Sequence, residues 1–247
     1  MIWAKNYSDA LLPRRAIVLG AGVVGVATAY ALARRGVEVT IIDRSDIAGN
    51  GASFANGAQL SYIYTDALAS NSLLKRLPFL ALGLDSSFRL RPSLDPSQIA
   101  WFMRFIRNCT RQRFLENSLE GLQLGLESQL AMHALLEQHK IEFGHQSAGK
   151  MLVYDDAAAF KSACYMVSVR QSHGAEQEVL TPTEAVNIEA ALAERAGGFV
   201  GAVYSPQEEL GDPHKFCNAL LSQLVKAYGV QVRMATEVES WEADSDT

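Results

Sequence analysis

The first apolar run of the chain, Ala16 to Leu19, is four residues long and ends in glycine, the pattern of a buried strand. An alanine-rich stretch at helical spacing, Val23 to Arg35, follows it, and Gly36 stops that helix. Val37 to Ile42, VEVTII, is a second β-branched run. Strand, helix and strand within about 30 residues form a βαβ unit, which builds a parallel sheet.

The alternation then ceases. Asn50 to Ser61, NGASFANGAQLS, is rich in Gly, Ser and Asn and predicts an ordered loop rather than a strand or a long helix. Residues 97 to 116 and 117 to 140 predict two helices, from apolar positions such as Ile99, Phe102, Ile106 and Leu119, Leu122, Leu126, Leu130. Lys150 to Tyr154 predicts a strand. Thr181-Pro182-Thr183-Glu184 is a capping box with proline at the first helical position, so a helix starts there. Phe199 to Tyr204 predicts a further strand, Asp212-Pro213 a helix that Gly229 closes, and Val230 to Met234 a last strand. Met1 to Leu12 lacks the apolar stretch and cleavage site of a signal peptide and predicts a short extension ending at Pro13. Glu242 to Thr247 is an acidic polar stub.

The turn after the first strand is Gly20-Ala21-Gly22-Val23-Val24-Gly25, a GxGxxG between a strand and a helix. Gly20 permits the tight turn, Gly22 lets the backbone approach a pyrophosphate, and Gly25 lets helix and strand pack closely. Exposed amides at the helix start, among them that of Val24, then face the phosphates. An acid should stand at the end of the next strand, beside the ribose hydroxyls of an adenosine. Asp43 does, with seventeen residues (26 to 42) between it and Gly25. Arg44 lies either against the adenine or in solvent. The βαβ unit alone does not separate NAD from FAD. The loop that follows, with Ser53, Asn56, Gly57 and Gln59, offers close backbone approach and amides for a flat heteroaromatic ring.

Composition adds exclusions. The chain has 247 residues, 49% of them hydrophobic, and a net charge of −5, so no global positive field marks nucleic acid as a partner. Cys109, Cys164 and Cys217 form no CxxC pair, which suits a reducing, cytoplasmic compartment. His133 and Glu137, at i, i+4, lack a third partner, so no metal site is expected. Eight basic residues against two acids give segment 75–113 a charge of +6 and leave the remainder at −11. Arg104, Arg107 and Arg111 share a helical face near Phe102, Phe105 and Ile106. That face is either solvated or a peripheral contact with an anionic membrane.

GAGVVGVATAYALARRGVEVTIIDR followed by GASFANGAQLS resembles the FAD-dependent D-amino acid dehydrogenases of the D-amino acid oxidase and glycine oxidase group. WFMRFIRNCT (101–110), GKMLVYDD (149–156), VNIEAAL (186–192) and the Gly211-Asp212 turn extend the likeness to about Trp241. The resemblance implies an α/β fold. It comprises a Rossmann-like, glutathione-reductase-like FAD domain from 14–75 and 213–247 and an α+β substrate or cap region at 76–212, with 1–13 as extension. It implies FAD as cofactor, an amino acid as substrate, and a respiratory electron acceptor. The reaction is oxidative deamination by hydride transfer to flavin N5, and no catalytic residue is expected in this part. In the family, the valine of the Thr236-Glu237-Val238 segment meets the adenine through its backbone, a role carried here to Val238. The resemblance also implies a C-terminally truncated fragment. The alternatives are another amine oxidoreductase of the group, acting on glycine or an N-methyl amino acid, or a catalytically silent fragment. The loop departs from its relatives in reading NGAQ where NAGQ is frequent.

Overall fold

The computed structural model describes residues 14–71, 73–74, 95–195 and 197–242. The expected extension at 1–13, most of the stub after residue 242, and the basic positions at 75–94 lie outside the described residues. In chain order, β1 (Arg15–Leu19) passes through the glycine turn into α1 (Val23–Ala33). Gly36, at φ +82°, turns the chain into β2 (Glu38–Ile42). After a loop come the two-residue strand β3 (Gln59–Leu60), α2 (Pro96–Asn108) and α3 (Arg111–Gln138). There follow β4 (Lys150–Tyr154), α4 (Ala157–Gln171), β5 (Glu178–Leu180), α5 (Pro182–Ile188) and a 3-10 turn at Ala190–Arg195. The described chain closes with β6 (Gly201–Ser205), β7 (Glu209–Leu210), α6 (Pro213–Tyr228) and β8 (Gln231–Arg233).

The capping signals hold in detail. The Glu184 amide donates to Thr181 Oγ1, and the Glu184 carboxylate accepts from the Thr181 amide, satisfying two helix-end donors reciprocally. Asp212 accepts from the Lys215 amide at 3.0 Å, and Gly229 ends α6 in the left-handed region at φ +67°. One expected boundary is corrected. The break between the two long helices falls at Cys109–Thr110, not at 116/117. Thr110 starts a new helix by accepting the Arg113 amide on its hydroxyl, at 3.3 Å. The end of the predicted loop, Gln59–Leu60, pairs antiparallel with β7. Helix α4, which Asp156 caps by accepting the Ala159 amide at 2.7 Å, was not expected.

The described chain divides into two compact units, 14–60 with 134–147 and 209–242, and 61–133 with 148–208. The sequence boundaries set 76–212 apart from 14–75 and 213–247, whereas the contacts group 134–147 and 209–212 with the first unit and the segment after residue 60 with the second. The Tyr30 hydroxyl donates to Gln138 Oε1 at 3.0 Å, and the His139 ring meets the Tyr228 hydroxyl at 3.1 Å. Gln146 and Leu210 exchange two backbone bonds of 2.9 Å, and the Phe143 carbonyl accepts the Asp212 amide at 2.7 Å.

In the first unit the sheet order is β1-β2-β8, with both pairings parallel. α1 packs on β1 and β2, and α6 packs beside α1. Val18, Val26, Val39, Ile41, Leu220 and Leu224 are buried in this unit.

In the second unit β6 lies between β4 and β5 in an antiparallel sheet. Leu180, Ala185, Phe199 and Ala202 form a cluster there. A Cβ at Gly201 would collide with the Phe160 ring of α4, so glycine sets the helix-to-sheet spacing. Arg170, 5% exposed, pairs with both Asp66 oxygens at 2.6 Å and donates to Gln177 at 3.1 Å. The buried Glu208 accepts the Ile63 amide at 2.7 Å. Helix α3 crosses the segment 62–65 at glycine: a Cβ on Gly125 would overlap the Tyr62 carbonyl oxygen. Because the obstacle is backbone, it cannot rotate away. Gly125→Ala is expected to destabilise the protein by about 2–3 kcal/mol. Denaturant unfolding checks this, and a stability equal to the parent's overturns it.

Candidate dinucleotide site

The glycine turn takes the form its spacing requires. Gly20 sits at φ +104°, where only glycine is unstrained, and its amide donates to the Ile42 carbonyl at 2.8 Å. A Cβ on Gly25 would overlap the Gly20 carbonyl oxygen and stand 3.6 Å from Val18 Cγ1. The helix therefore meets the end of β1 at its closest at this residue. Gly22 is the N-cap of α1 in extended conformation, with no side-chain cap of its own and no acid in the first helical turn. The nearest atom to a Cβ built on Gly22 is Ser53 Oγ, at 3.5 Å, and that hydroxyl accepts the Val23 amide at 3.1 Å. Val24 follows, 76% exposed. Helix-start amides have no intrahelical acceptor, so this end presents donors to an anion.

Asp43 stands at the end of β2, half-buried. Its Oδ2 accepts the Ala21 amide at 2.6 Å and its Oδ1 the Ser45 amide at 2.7 Å. Burial opposes the charge, but those donors and the neighbouring Arg44 outweigh it and hold the carboxyl below its ordinary value. Each carboxylate oxygen keeps a second lone pair for a hydroxyl. Arg44 is exposed. The Asp43 and Ser45 carbonyls accept the amides of Thr236 (2.9 Å) and Ala235 (2.8 Å), so the segment leading to Val238 passes beside Asp43. Val238 is 43% exposed.

The loop after β2 is tied to the turn at both ends of its first half. The Gly49 amide donates to the Ala21 carbonyl at 3.0 Å, and Ser53 is buried against α1. Asn56 and Gly57 are exposed, and the Asn56 side chain accepts the Ala58 amide at 2.8 Å, closing an Asx turn. Ala58 sits at φ +52°, in the left-handed region. The reversed order Gly57-Ala58 therefore puts a Cβ where the NAGQ pattern supplies glycine. A cavity of about 270 Å³ borders this loop, lined by Phe54, Asn56, Phe143, Gly211, Asp212 and Lys215. Sequence reasoning missed Phe143, which has no motif and arrives through the backbone bond to Asp212. Asp212 itself caps α6, as its position before Pro213 predicts.

A larger cavity, about 440 Å³, lies within the second unit among Tyr64, Phe114, Tyr154, Met166 and the Asp66–Arg170 pair. Its charged groups are already engaged within the protein. Arg170 is held by Asp66 and Gln177, and Arg111 lies 5.3 Å from the centre of the Tyr165 ring. Burial pushes the Tyr64 hydroxyl far above its ordinary value, keeping it neutral. None of the residues that the sequence nominates for the dinucleotide lines it.

Two outcomes follow from this geometry. Ala58→Gly relieves the left-handed strain and is expected to add about 1 kcal/mol, read as a rise in Tm of roughly 2–4 °C; an unchanged or lower Tm overturns it. Asp43 has a depressed folded pKa, so its stabilising contribution is complete above the unfolded carboxylate value, about 3.9, and is lost as pH falls through the folded value. Asp43→Asn leaves one of the two amides without an acceptor, which costs about 1–3 kcal/mol at neutral pH. The variant also loses this share of the acid sensitivity. Thermal melts from pH 7 to pH 3 measure both, and parallel pH profiles for parent and variant overturn the assignment.

Residues 15–247 match the FAD dependent oxidoreductase family, DAO. The chain is 42% identical over 224 residues to D-amino acid dehydrogenase 2 of Ralstonia nicotianae, covering 90% of this chain and 53% of the relative. It is 37% identical to the D-amino acid dehydrogenase of Paramagnetospirillum magneticum, covering 94% and 55%. Among solved structures, it resembles in fold glycine oxidase from Geobacillus kaustophilus and L-proline dehydrogenase from P. horikoshii. Both superpose at TM-score 0.60, with 22% and 20% identity, over 91% and 95% of this chain and 47% and 48% of theirs. The chain spans about half the length of the curated relatives it matches. A glycine turn between parallel strands, an acid at the end of β2 and this match over nearly the whole sequence make the chain a member of the FAD dependent oxidoreductase family.

Proposed function

We propose that this chain forms the FAD-holding part of a D-amino acid dehydrogenase. The observation that carries the reading is the N-terminus of α1, opened by a glycine that has no side chain, with Asp43 beside it, in a chain 42% identical to such a dehydrogenase. The residues present fit the cofactor. Gly22 leaves free the space a Cβ would fill, and the first-turn amides of Val24 and Gly25 supply donors to a pyrophosphate. Asp43 keeps lone pairs for ribose hydroxyls, while its bonds to Ala21 and Ser45 fix its orientation. Ser53 secures the Val23 amide and, with Asn56 and Gly57, shapes the loop on the ring side. Val238 would meet the adenine through its backbone, and exposed Arg44 would lie against the same ring or in solvent.

FAD, when bound, supplies the two-electron acceptor for oxidising an amine to an imine, which water hydrolyses to a 2-oxo acid and ammonia. The chain's own part is orientation and anion binding. The main demand of such a reaction is alignment of the Cα–H bond. The electrons go on to a respiratory acceptor.

The visible spectrum of the purified chain, after addition of FAD and removal of excess, tests the cofactor reading. Flavin bands that stay with the protein and vanish in Gly22→Val are expected; equal retention by both overturns the assignment of the turn. Turnover of D-alanine, glycine and sarcosine with an artificial electron acceptor tests the substrate. D-alanine should lead, and preference for glycine or sarcosine would move the protein to another amine chemistry.

A second reading concerns location. Helix α2 has no buried residue, and Ile99, Trp101 and Met103 are 48%, 61% and 48% exposed beside Arg104 and Arg107. No helix among the described residues is long and apolar enough to cross a membrane. The reading is that α2 rests in the interface of an anionic bilayer on the cytoplasmic side. Salt-sensitive co-flotation with phosphatidylglycerol vesicles, lost in Trp101→Ala/Arg104→Glu, is expected; no flotation at low salt overturns it.

A further inference from the structure

Helix α4 is hollowed on one face. Ala159, Ser162 and Ala163 stand at helical spacing ahead of Met166 and Arg170, and all five line the cavity of about 440 Å³ in the second unit. Three small side chains on one face leave a volume that larger ones would fill. Phe114 of α3, Val203 of β6 and the rings of Tyr64 and Tyr154 close the remaining walls. Sites for small molecules span about 300–1,000 Å³ and pair apolar walls with a few fixed polar groups, as this cavity does.

Three charged side chains line it, Asp66, Arg111 and Arg170, for a net charge of +1. Two of them cancel. Arg170 donates to both Asp66 oxygens at 2.6 Å and spends a further donor on Gln177 at 3.1 Å. Arg111 is held differently. Its guanidinium carbon lies 5.3 Å from the centre of the Tyr165 ring, a contact that restrains the group without neutralising it and leaves N–H donors for an acceptor. Its neighbour Arg113 is answered by Glu116 at 3.2 Å, whereas among the described residues no carboxylate forms an ion pair with Arg111. Its own helix does not favour the charge either, because Arg111 opens α3 at the end where the dipole opposes a cation. The neutral groups add donors. The Tyr64 and Tyr154 hydroxyls hydrogen-bond each other, so one of their two protons remains for a further acceptor, and burial keeps Tyr64 protonated.

We propose that this cavity binds a small monoanionic carboxylate with an aromatic body, the carboxylate on Arg111 and the ring against Phe114, Met166 and the small-residue face of α4. A zwitterionic amino acid fits less well. Its ammonium would enter a lining of net positive charge whose one carboxylate already serves Arg170. No residue assigned to the dinucleotide lines the cavity, so the proposal does not depend on the flavin reading and is tested without FAD.

Isothermal titration calorimetry of the purified chain with 3-phenylpropionate tests it. Saturable binding of one molecule per chain is expected. D-phenylalanine, which adds an ammonium to the same ring and carboxylate, should bind at least about 10-fold more weakly, and 2-phenylethylamine should not bind. Arg111→Gln should weaken 3-phenylpropionate at least about 10-fold, with circular dichroism and Tm as in the parent because the side chain is exposed and has no ion pair to lose. Arg111→Lys keeps the charge and should retain more affinity than Arg111→Gln. Ala163→Leu fills the cavity from the apolar side without touching a charge and should abolish binding. Absence of saturable binding at millimolar probe overturns the proposal. So does binding indifferent to Arg111→Gln or to Ala163→Leu. Equal affinity for acid and amine overturns the anionic class, and D-phenylalanine binding as tightly as 3-phenylpropionate overturns the preference for a monoanion.

Discussion

The close approach of α1 to the end of β1 is the constraint on which the rest of the first unit depends. Gly25 lies so near the Gly20 carbonyl that a methyl group would overlap its oxygen. With the helix held there, its N-terminus stands at the carboxyl end of the sheet. Three segments that are remote in sequence then fasten onto the short turn. Asp43, at the end of β2, takes the Ala21 amide; Gly49 gives its amide to the Ala21 carbonyl; Ser53 takes the Val23 amide. The turn is thus a node for the start of the helix, the acid and the loop. A change at Gly25 would displace all three, whereas a change at exposed Val24 would displace none.

What was legible in the sequence is what local chemistry dictates. The glycine turn, the acid at Asp43 and the caps at Thr181 and Asp212 each demand a residue type at a fixed offset, and each stands where the offset places it. What was not legible rests on distant partners. The helix break at Cys109–Thr110 hides inside an unbroken apolar spacing, because a threonine hydroxyl, not a glycine or proline, marks it. The allegiance of 134–147 to the first unit depends on Tyr30, Tyr228, Leu210 and Asp212, none of which its own pattern reveals. Strands of two and three residues, such as β7 and β5, are too short for a period to register. Helix α4 carries a local signal of its own, Asp156 before three alanines.

The loop at 49–60 shows how a departure from a familiar pattern acquires physical meaning only in the backbone. Glycine and alanine exchanged at 57 and 58 leave composition and spacing untouched. The backbone at 58 is left-handed nonetheless, and the Asn56 side chain stabilises that turn by accepting the Ala58 amide. The side chain that a sequence reader assigns to a flavin ring is here engaged with its own backbone. Its contribution is the shape of the loop, a positioning role. Ser53 is similar: its hydroxyl is committed to the Val23 amide and steadies the helix start.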